Sequence, residues 1–331
     1  MSDVNPLQIA DGEFFPGQSG SVQVTAGQLP SGNPVSIEAH VFRSYEPGPT
    51  VLFLAGVHGD EINGVEIVRR CLRTKMFDQL IAGTVVAIPL LNVYGFNNFS
   101  RDVPDGKDVN RSFPGTLKGS LASRVAYGLS KNILPHVDFV IDFHTGGRGT
   151  YNFPQIRYNP EDERARALAY NFAPPLIMAN RAPAKSLRRT ALKNHQLTVL
   201  TYEGGENLRY DAQSIEVGVT GIRKILQTQF MLEDTPQPKP KDPVLITSSA
   251  WVRASKAGLF QWTKRSGFYV RRSEPIGVIS DPHGQRPDKR ILSPRDGFVL
   301  GHANAAVVSQ GDALFHIGTV AEELPPTTEE A

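Results

Sequence analysis

Gly56-Val57-His58-Gly59-Asp60-Glu61 follows directly on Thr50-Val51-Leu52-Phe53-Leu54-Ala55 and leads into Ile62-Asn63-Gly64-Val65-Glu66-Ile67-Val68-Arg69-Arg70-Cys71-Leu72. The run 50–55 is short, apolar and bounded by Pro49 and Gly56, which reads as a buried strand. In the last run apolar residues recur at 62, 65, 68 and 72, the spacing of a helix. His58 and Glu61 therefore occupy a glycine-flanked turn from strand to helix, where both can face one point. Imidazole and carboxylate are zinc ligands, and a catalytic zinc takes three protein ligands and keeps one position open.

The same strand-to-helix alternation continues. Strands are expected at 84–90, at 137–143 ending at His144, and at 197–202 ending at Glu203. Helices are expected at 120–133, 161–173, 185–195 and 211–231. This alternation predicts an α/β fold with a mixed, mainly parallel sheet and helices on both faces. Ligands of such sheets sit beyond the carboxyl ends of the strands. His58, His144 and Glu203 each fall one to three residues past a strand end. Upstream, residues 21–24 and 35–42 alternate with period two, which predicts antiparallel strands at a sheet edge. Residues 92–118 form a long loop rich in Asn, Gly, Pro and Asp, a length that points to function.

A boundary is marked by Thr235-Pro236-Gln237-Pro238-Lys239-Pro240-Lys241-Asp242-Pro243, whose four prolines favour an extended spacer. The expected organisation is a catalytic domain at 1–234, this linker at 235–243, a small all-β domain at 244–318, and an acidic tail at 319–331. The β domain carries a weak repeat. Gly258-Leu259-Phe260 matches Gly297-Phe298-Val299, and 274–279 matches 312–317, at an offset of 38 to 39 residues. Two such halves predict a barrel or sandwich built by duplication.

With 35 basic and 33 acidic residues the net charge is +2, which gives no bulk drive toward nucleic acid or anionic membrane. No apolar run approaches the ~20 residues of a membrane span, and nothing before Pro16 has the layout of a secretion signal, so a cytoplasmic protein is expected. Cys71 is the single cysteine, which excludes an internal disulfide and a thiolate zinc cage. It falls on the amphipathic helix and reads as a small core residue. No Walker or Rossmann glycine pattern is present. His283, His302 and His316 lack metal-ligand spacing.

Four motifs occur in register: Gly56-Val57-His58-Gly59-Asp60-Glu61, Asp108-Val109-Asn110-Arg111, Asp142-Phe143-His144 and Tyr202-Glu203-Gly204-Gly205. In this order they resemble the succinylglutamate desuccinylase/aspartoacylase family of the zinc carboxypeptidase superfamily, over roughly residues 48–230. The C-terminal part resembles the β-hybrid domain of some members. It is also similar to biotinyl and lipoyl carrier domains, but without a recognisable lysine hairpin; Asn304-Ala305-Ala306 stands near that position.

The resemblance implies one zinc per chain, held by His58, Glu61 and His144, with Asp142 as an orienting carboxylate or a strand-end cap. It implies that Glu203 is the general acid/base, with Glu206 as a lesser alternative. Asn110 and Arg111 match the pair that holds a substrate carboxylate, and Arg101 matches the arginine that stabilises the oxyanion. The expected activity is hydrolysis of the amide in N-acyl amino acids or related acylated amines. The partner is then a small carboxylate-bearing substrate, and assembly into a homo-oligomer is compatible with everything read. The rivals are a zinc carboxypeptidase acting on peptides and a non-catalytic binding protein that keeps the fold. Specificity is expected in loops 92–118 and 145–160 and in the C-terminal domain.

Overall fold

The computed structural model describes residues 5–29, 31–235 and 242–320. The central part of the expected linker, 236–241, and the expected tail from 321 onward lie outside the described residues. In chain order the elements are β1 (Leu7–Ile9), β2 (Gly12–Phe14), β3 (Ser19–Gln28), β4 (Pro34–Arg43), β5 (Thr50–Ala55), α1 (Ile62–Arg73), β6 (Thr84–Ile88), α2 (Val93–Asn97), α3 (Leu121–Asn132), β7 (Phe139–Gly146), β8 (Thr150–Tyr158), α4 (Glu163–Phe172), β9 (Leu176–Ala179), α5 (Leu187–His195), β10 (Thr198–Glu206) and α6 (Ala212–Thr228). Strands alone follow: β11 (Val244–Arg253), β12 (Gly258–Trp262), β13 (Tyr269–Val270), β14 (Pro275–Ser280), β15 (Lys289–Leu292), β16 (Gly297–Ala303), β17 (Val307–Val308) and β18 (Ala313–Val320).

Strand β5 sets the layering. Val51, Phe53 and Ala55 enter one core, and Leu52 and Leu54 enter the other, all of them fully buried. Side chains alternate along a strand, so a continuous apolar run needs an apolar layer on each face. Helices α1, α4 and α6 supply one layer through Ile67, Val68, Leu168, Phe172 and Ile222. Helices α3 and α5 supply the other through Val125, Leu129, Leu187 and Ala191. Cys71 lies in the first core, and burial pushes its thiol up to about 12, as expected of a packing residue.

The main sheet has twelve strands in the order β13-β16-β18-β11-β9-β8-β10-β7-β5-β6-β4-β3. Strands β6, β5, β7 and β10 run parallel at its centre. Both flanks carry antiparallel pairs, among them β4–β6 and β3–β4 on one side and β8–β10 and β11–β18 on the other. The sheet is therefore mixed: parallel pairs also join β8 to β9 and β9 to β11, and the antiparallel β8–β10 pair separates them from the central parallel run.

Strand β8 corrects the reading of 145–160 as a loop. Pro154 lies where the β8–β10 register shifts between Glu203 and Gly205, a bulge that tolerates a residue without an N–H donor. The internal repeat corresponds to strand pairing: β12 pairs with β14 and β17, while β16 pairs with β18 and β13. Through β11 on β9 and β16 on β8, the C-terminal strands continue the central sheet. No helix among the described residues is long and apolar enough to cross a membrane.

Candidate metal centre and active site

The turn after β5 explains its own glycines. Gly56 has φ +64°, a region glycine enters without steric cost. At Gly59 a Cβ would collide with the backbone of Gly95 and Phe96 in α2. Glu61 stands at the N-cap of α1 but makes no side-chain cap, whereas α3, α4, α5 and α6 are capped by Ser120, Asp162, Ser186 and Asp211. The Glu61 carboxylate is turned elsewhere. Its Oε1 lies 2.7 Å from His58 Nδ1, its Oε2 lies 2.8 Å from His144 Nδ1, and Oε2 also accepts the Thr145 N–H at 3.1 Å.

Strand β7 brings His144 to the same point, with its Nδ1 3.1 Å from His58 Nδ1. The three side chains are almost wholly buried, and His58, Glu61 and His144 are the group able to hold a metal ion found among the described residues. Each outer imidazole nitrogen is oriented by a carboxylate. His144 Nε2 is 2.8 Å from Asp142 Oδ2, and His58 Nε2 is 3.2 Å from Asp108 Oδ1. Such outer contacts fix the ring and its tautomer in metal sites. Asp108 appeared in the sequence motif without a role. Its other oxygen accepts from Arg101 Nη2 at 3.0 Å, and its Oδ1 also accepts the Asn110 N–H at 2.6 Å.

The donor set fits zinc on chemical grounds. Nitrogen and carboxylate donors converge in an enclosed place, with three ligands rather than a closed cage of four. Charge points the same way. With neutral imidazoles, the carboxylates of Glu61, Asp108 and Asp142 against the Arg101 guanidinium leave −3 + 1 = −2, which a dication balances. The titration preferences agree. Burial opposes charge on His144, yet Asp142 and Glu61 outweigh it and raise its pKa well above the usual value. Burial likewise opposes ionisation of Glu61, but the two histidines hold its carboxyl well below the ordinary range. These groups favour added positive charge at their centre.

A cleft of about 370 Å³ opens over this cluster. It is lined by Arg101, Asn110, Arg111 and Glu203 together with His58, Glu61 and His144, so the structure brings these sequence candidates to one place, but not Glu206. Glu203 on β10 stands opposite His144 in the parallel β7–β10 ladder. Its carboxylate accepts from Asn152 Nδ2 at 2.9 Å and pairs with Arg157 at 3.1 Å. Glu206 is occupied elsewhere, accepting from Asn304 Nδ2 at 2.6 Å. Arg101 Nη1 reaches both Glu61 Oε1 at 3.0 Å and His58 Nδ1 at 3.2 Å, so this guanidinium touches the donor cluster itself. Asn110 Oδ1 accepts the Leu187 N–H at 2.9 Å, which ties the Asn110–Arg111 turn to the start of α5.

The sequence reading missed Arg157 and Arg188. Both lie in the segment between His144 and Glu203, where no motif flags them. Arg188 is 5% exposed and lines the cleft. Its Nη2 donates to Asn180, but Nε and Nη1 have no hydrogen-bond partner among the described residues. Burial, reinforced by Arg157, lowers its pKa to about 10. Buried donors left unpaired are uncommon and mark a place where a ligand atom belongs.

The family model of the succinylglutamate desuccinylase/aspartoacylase catalytic domain matches residues 47–229. The chain belongs to the succinylglutamate desuccinylase/aspartoacylase family. A relative from Halomonas elongata, an N-alpha-acetyl-L-2,4-diaminobutyric acid deacetylase, is 29% identical over 84% of each chain. The structure of a succinylglutamate desuccinylase/aspartoacylase from Rhodobacter sphaeroides is similar at a TM-score of 0.81, with 26% identity, over 92% of this chain and 96% of that one. The product-bound ectoine utilization protein EutE (DoeB) from Ruegeria pomeroyi shares the fold at a TM-score of 0.81 and 22% identity, covering 95% of this chain and 98% of its own. Hydrolysis of the amide in an N-acyl amino acid is the class of reaction that this membership assigns.

Proposed function

We propose that the chain is a zinc-dependent deacylase of N-acyl amino acids, with residues 1–234 as its catalytic domain and 244–318 as an all-β second domain. His58, Glu61 and His144 would hold the zinc ion. A zinc ion in such a site acidifies water and polarises a carbonyl. The chain's own groups do the rest. Glu203, held by Asn152 and Arg157, accepts the proton of the attacking water and delivers it to the leaving amine. Arg101 reaches the donor cluster, and in this reading it stabilises the oxyanion. Arg111 and the unpaired donors of Arg188 attract the substrate carboxylate, which suits a planar guanidinium fork. The observation that carries this reading is the convergence of three buried metal donors, a carboxylate base and the guanidinium groups of Arg101, Arg111 and Arg188 in one cleft.

Turnover of N-acetyl amino acids, measured against short peptides, separates a deacylase from a carboxypeptidase; preference for peptides would reject the proposal. Arg111→Ala is expected to lower kcat/KM on N-acetyl amino acids by about one to two orders of magnitude, since a charge-assisted contact contributes roughly 1.5–3 kcal/mol. The loss should be much smaller on the corresponding N-acetyl amine without a carboxylate. Arg111→Lys should rescue poorly, because an ammonium cannot reproduce the fork. Equal losses on both substrates would assign Arg111 a structural role.

A further inference from the structure

The ionic centre of the cleft is bordered by one large apolar surface, which belongs to the C-terminal strands. Trp251 on β11 lines the cleft and is 43% exposed, and the other apolar side chains at the lining are the small Ala182 and Pro183. One indole face is already used. His316, the cross-strand partner of Trp251 on β18, stacks against it with ring centroids 4.4 Å apart and planes 5° from parallel. His316 is itself fixed by a 2.8 Å hydrogen bond between its Nε2 and Ser249 Oγ. Burial and the nearby Arg157 lower its pKa to about 3, so the platform under the indole is uncharged at neutral pH. An indole held this way is preorganised, and it binds a further flat or aliphatic group at low entropic cost.

The position on the sheet tells what would reach it. From β7, which carries His144, the order is β10, β8, β9 and then β11. Four strand steps of about 4.8 Å give a path of ~19 Å along the sheet, an upper bound on the separation because β16 also pairs with β8. Trp251 and the donor cluster thus line one cleft from different strands, and a substrate touching both must extend past its scissile amide. The charges near Trp251 select the chemistry of that extension. Arg157, Arg181 and Arg188 all line the cleft with it. Arg188 has no carboxylate partner among the described residues and adds positive potential, so an ammonium group on the indole face is disfavoured.

We propose that Trp251 is a specificity surface, supplied by the C-terminal strands, for an apolar extension of the substrate beyond the scissile amide. This rests on the deacylase reading of the site. The extension can belong to the acyl chain or to the amino-acid side chain, and two substrate series tell them apart. One is acetyl-, butyryl- and hexanoyl-alanine; the other is N-acetyl-alanine, -norvaline and -norleucine.

In one series kcat/KM should rise with length, and Trp251→Ala should lower it about tenfold on the longest member and less than twofold on the shortest. Trp251→Phe should keep most of the preference, which guards against a variant that fails to fold. A binding readout makes the test independent of turnover. The sequence has two tryptophans, so Trp262→Phe leaves Trp251 as the sole indole. Its fluorescence should change on titration with the longer members, with affinity rising with length. Absence of turnover with this fluorescence response would reject the deacylase reading and keep the subsite. Equal effects of Trp251→Ala along both series, or fluorescence indifferent to every ligand, would overturn the proposal.

Discussion

Glu203→Gln is expected to keep its metal and its substrate affinity and to lose two to four orders of magnitude in kcat, the range that general acid–base catalysis supplies. The substitution keeps the shape of the side chain. Asn152 and Arg157 both donate to this carboxylate, and the amide of glutamine still offers one acceptor oxygen. The amide cannot take up a proton near neutral pH, so the loss falls on turnover rather than on binding. Steady-state kinetics together with metal analysis of the purified variant check this. A drop of less than about tenfold would remove Glu203 from the role of base, and parallel loss of metal would make it a structural residue. Glu206→Gln serves as the contrast. That carboxylate is engaged with Asn304 and does not line the cleft, so its replacement should leave kcat close to that of the parent.

His144→Ala should lose most of its zinc and all but a trace of its activity. Three ligands are the usual protein share of a catalytic zinc site, and His144 is the one supplied from a different strand. Its removal also strands two neighbours. Asp142 Oδ2 loses its 2.8 Å partner, and Glu61 Oε2 keeps only the Thr145 N–H. A buried carboxylate stripped of its partner is destabilising, so thermal unfolding should be measured alongside metal content. Full metal retention would refute the assignment of His144. Asp142→Asn should act more mildly, since partners of ligating histidines typically contribute 10- to 100-fold in metal affinity or activity.

Much of this centre was legible in the sequence because its parts lie near the carboxyl ends of strands, although β7 and β10 run on two and three residues past the expected ends at His144 and Glu203. A buried strand is a strong local pattern, and the residue that follows it is placed by the sheet. Thus Ala55, Phe143 and Tyr202 end apolar runs, and His58, His144 and Glu203 follow them onto one edge of neighbouring parallel strands. Arg157 and Arg188 were not legible for the converse reason. Arg157 sits on a strand interrupted by Pro154, whose register shifts against β10, and so gives no clean alternation. Arg188 reaches the cleft because the Asn110 side chain holds the first turn of α5, a contact across 77 residues of sequence. Trp251 escaped for a topological reason. Its strand reads as part of a separate β domain, and non-local pairings, β11 with β9 and β16 with β8, carry it to the cleft. The parallel character of the sheet was over-read in the same way, since each strand looks alike locally and direction is decided by non-local pairing.

The uncapped start of α1 is a further case where local and functional demands diverge. Glu61 stands at the N-cap position and gives its neighbours no side-chain hydrogen bond, a departure that costs about 1 kcal/mol in an ordinary helix. Its carboxylate instead faces both histidines, which makes sense for a ligand and not for a helix terminus.

Metal reconstitution tests the central claim most directly. Protein stripped with a chelator and dialysed should be inactive on N-acetyl amino acids. Stepwise addition of zinc should restore activity linearly and reach a plateau at one equivalent per chain, and the stripped His144→Ala variant should show no such titration. Stripped protein that retains full activity, or a plateau reached only at two or more equivalents, would contradict a single zinc held by His58, Glu61 and His144.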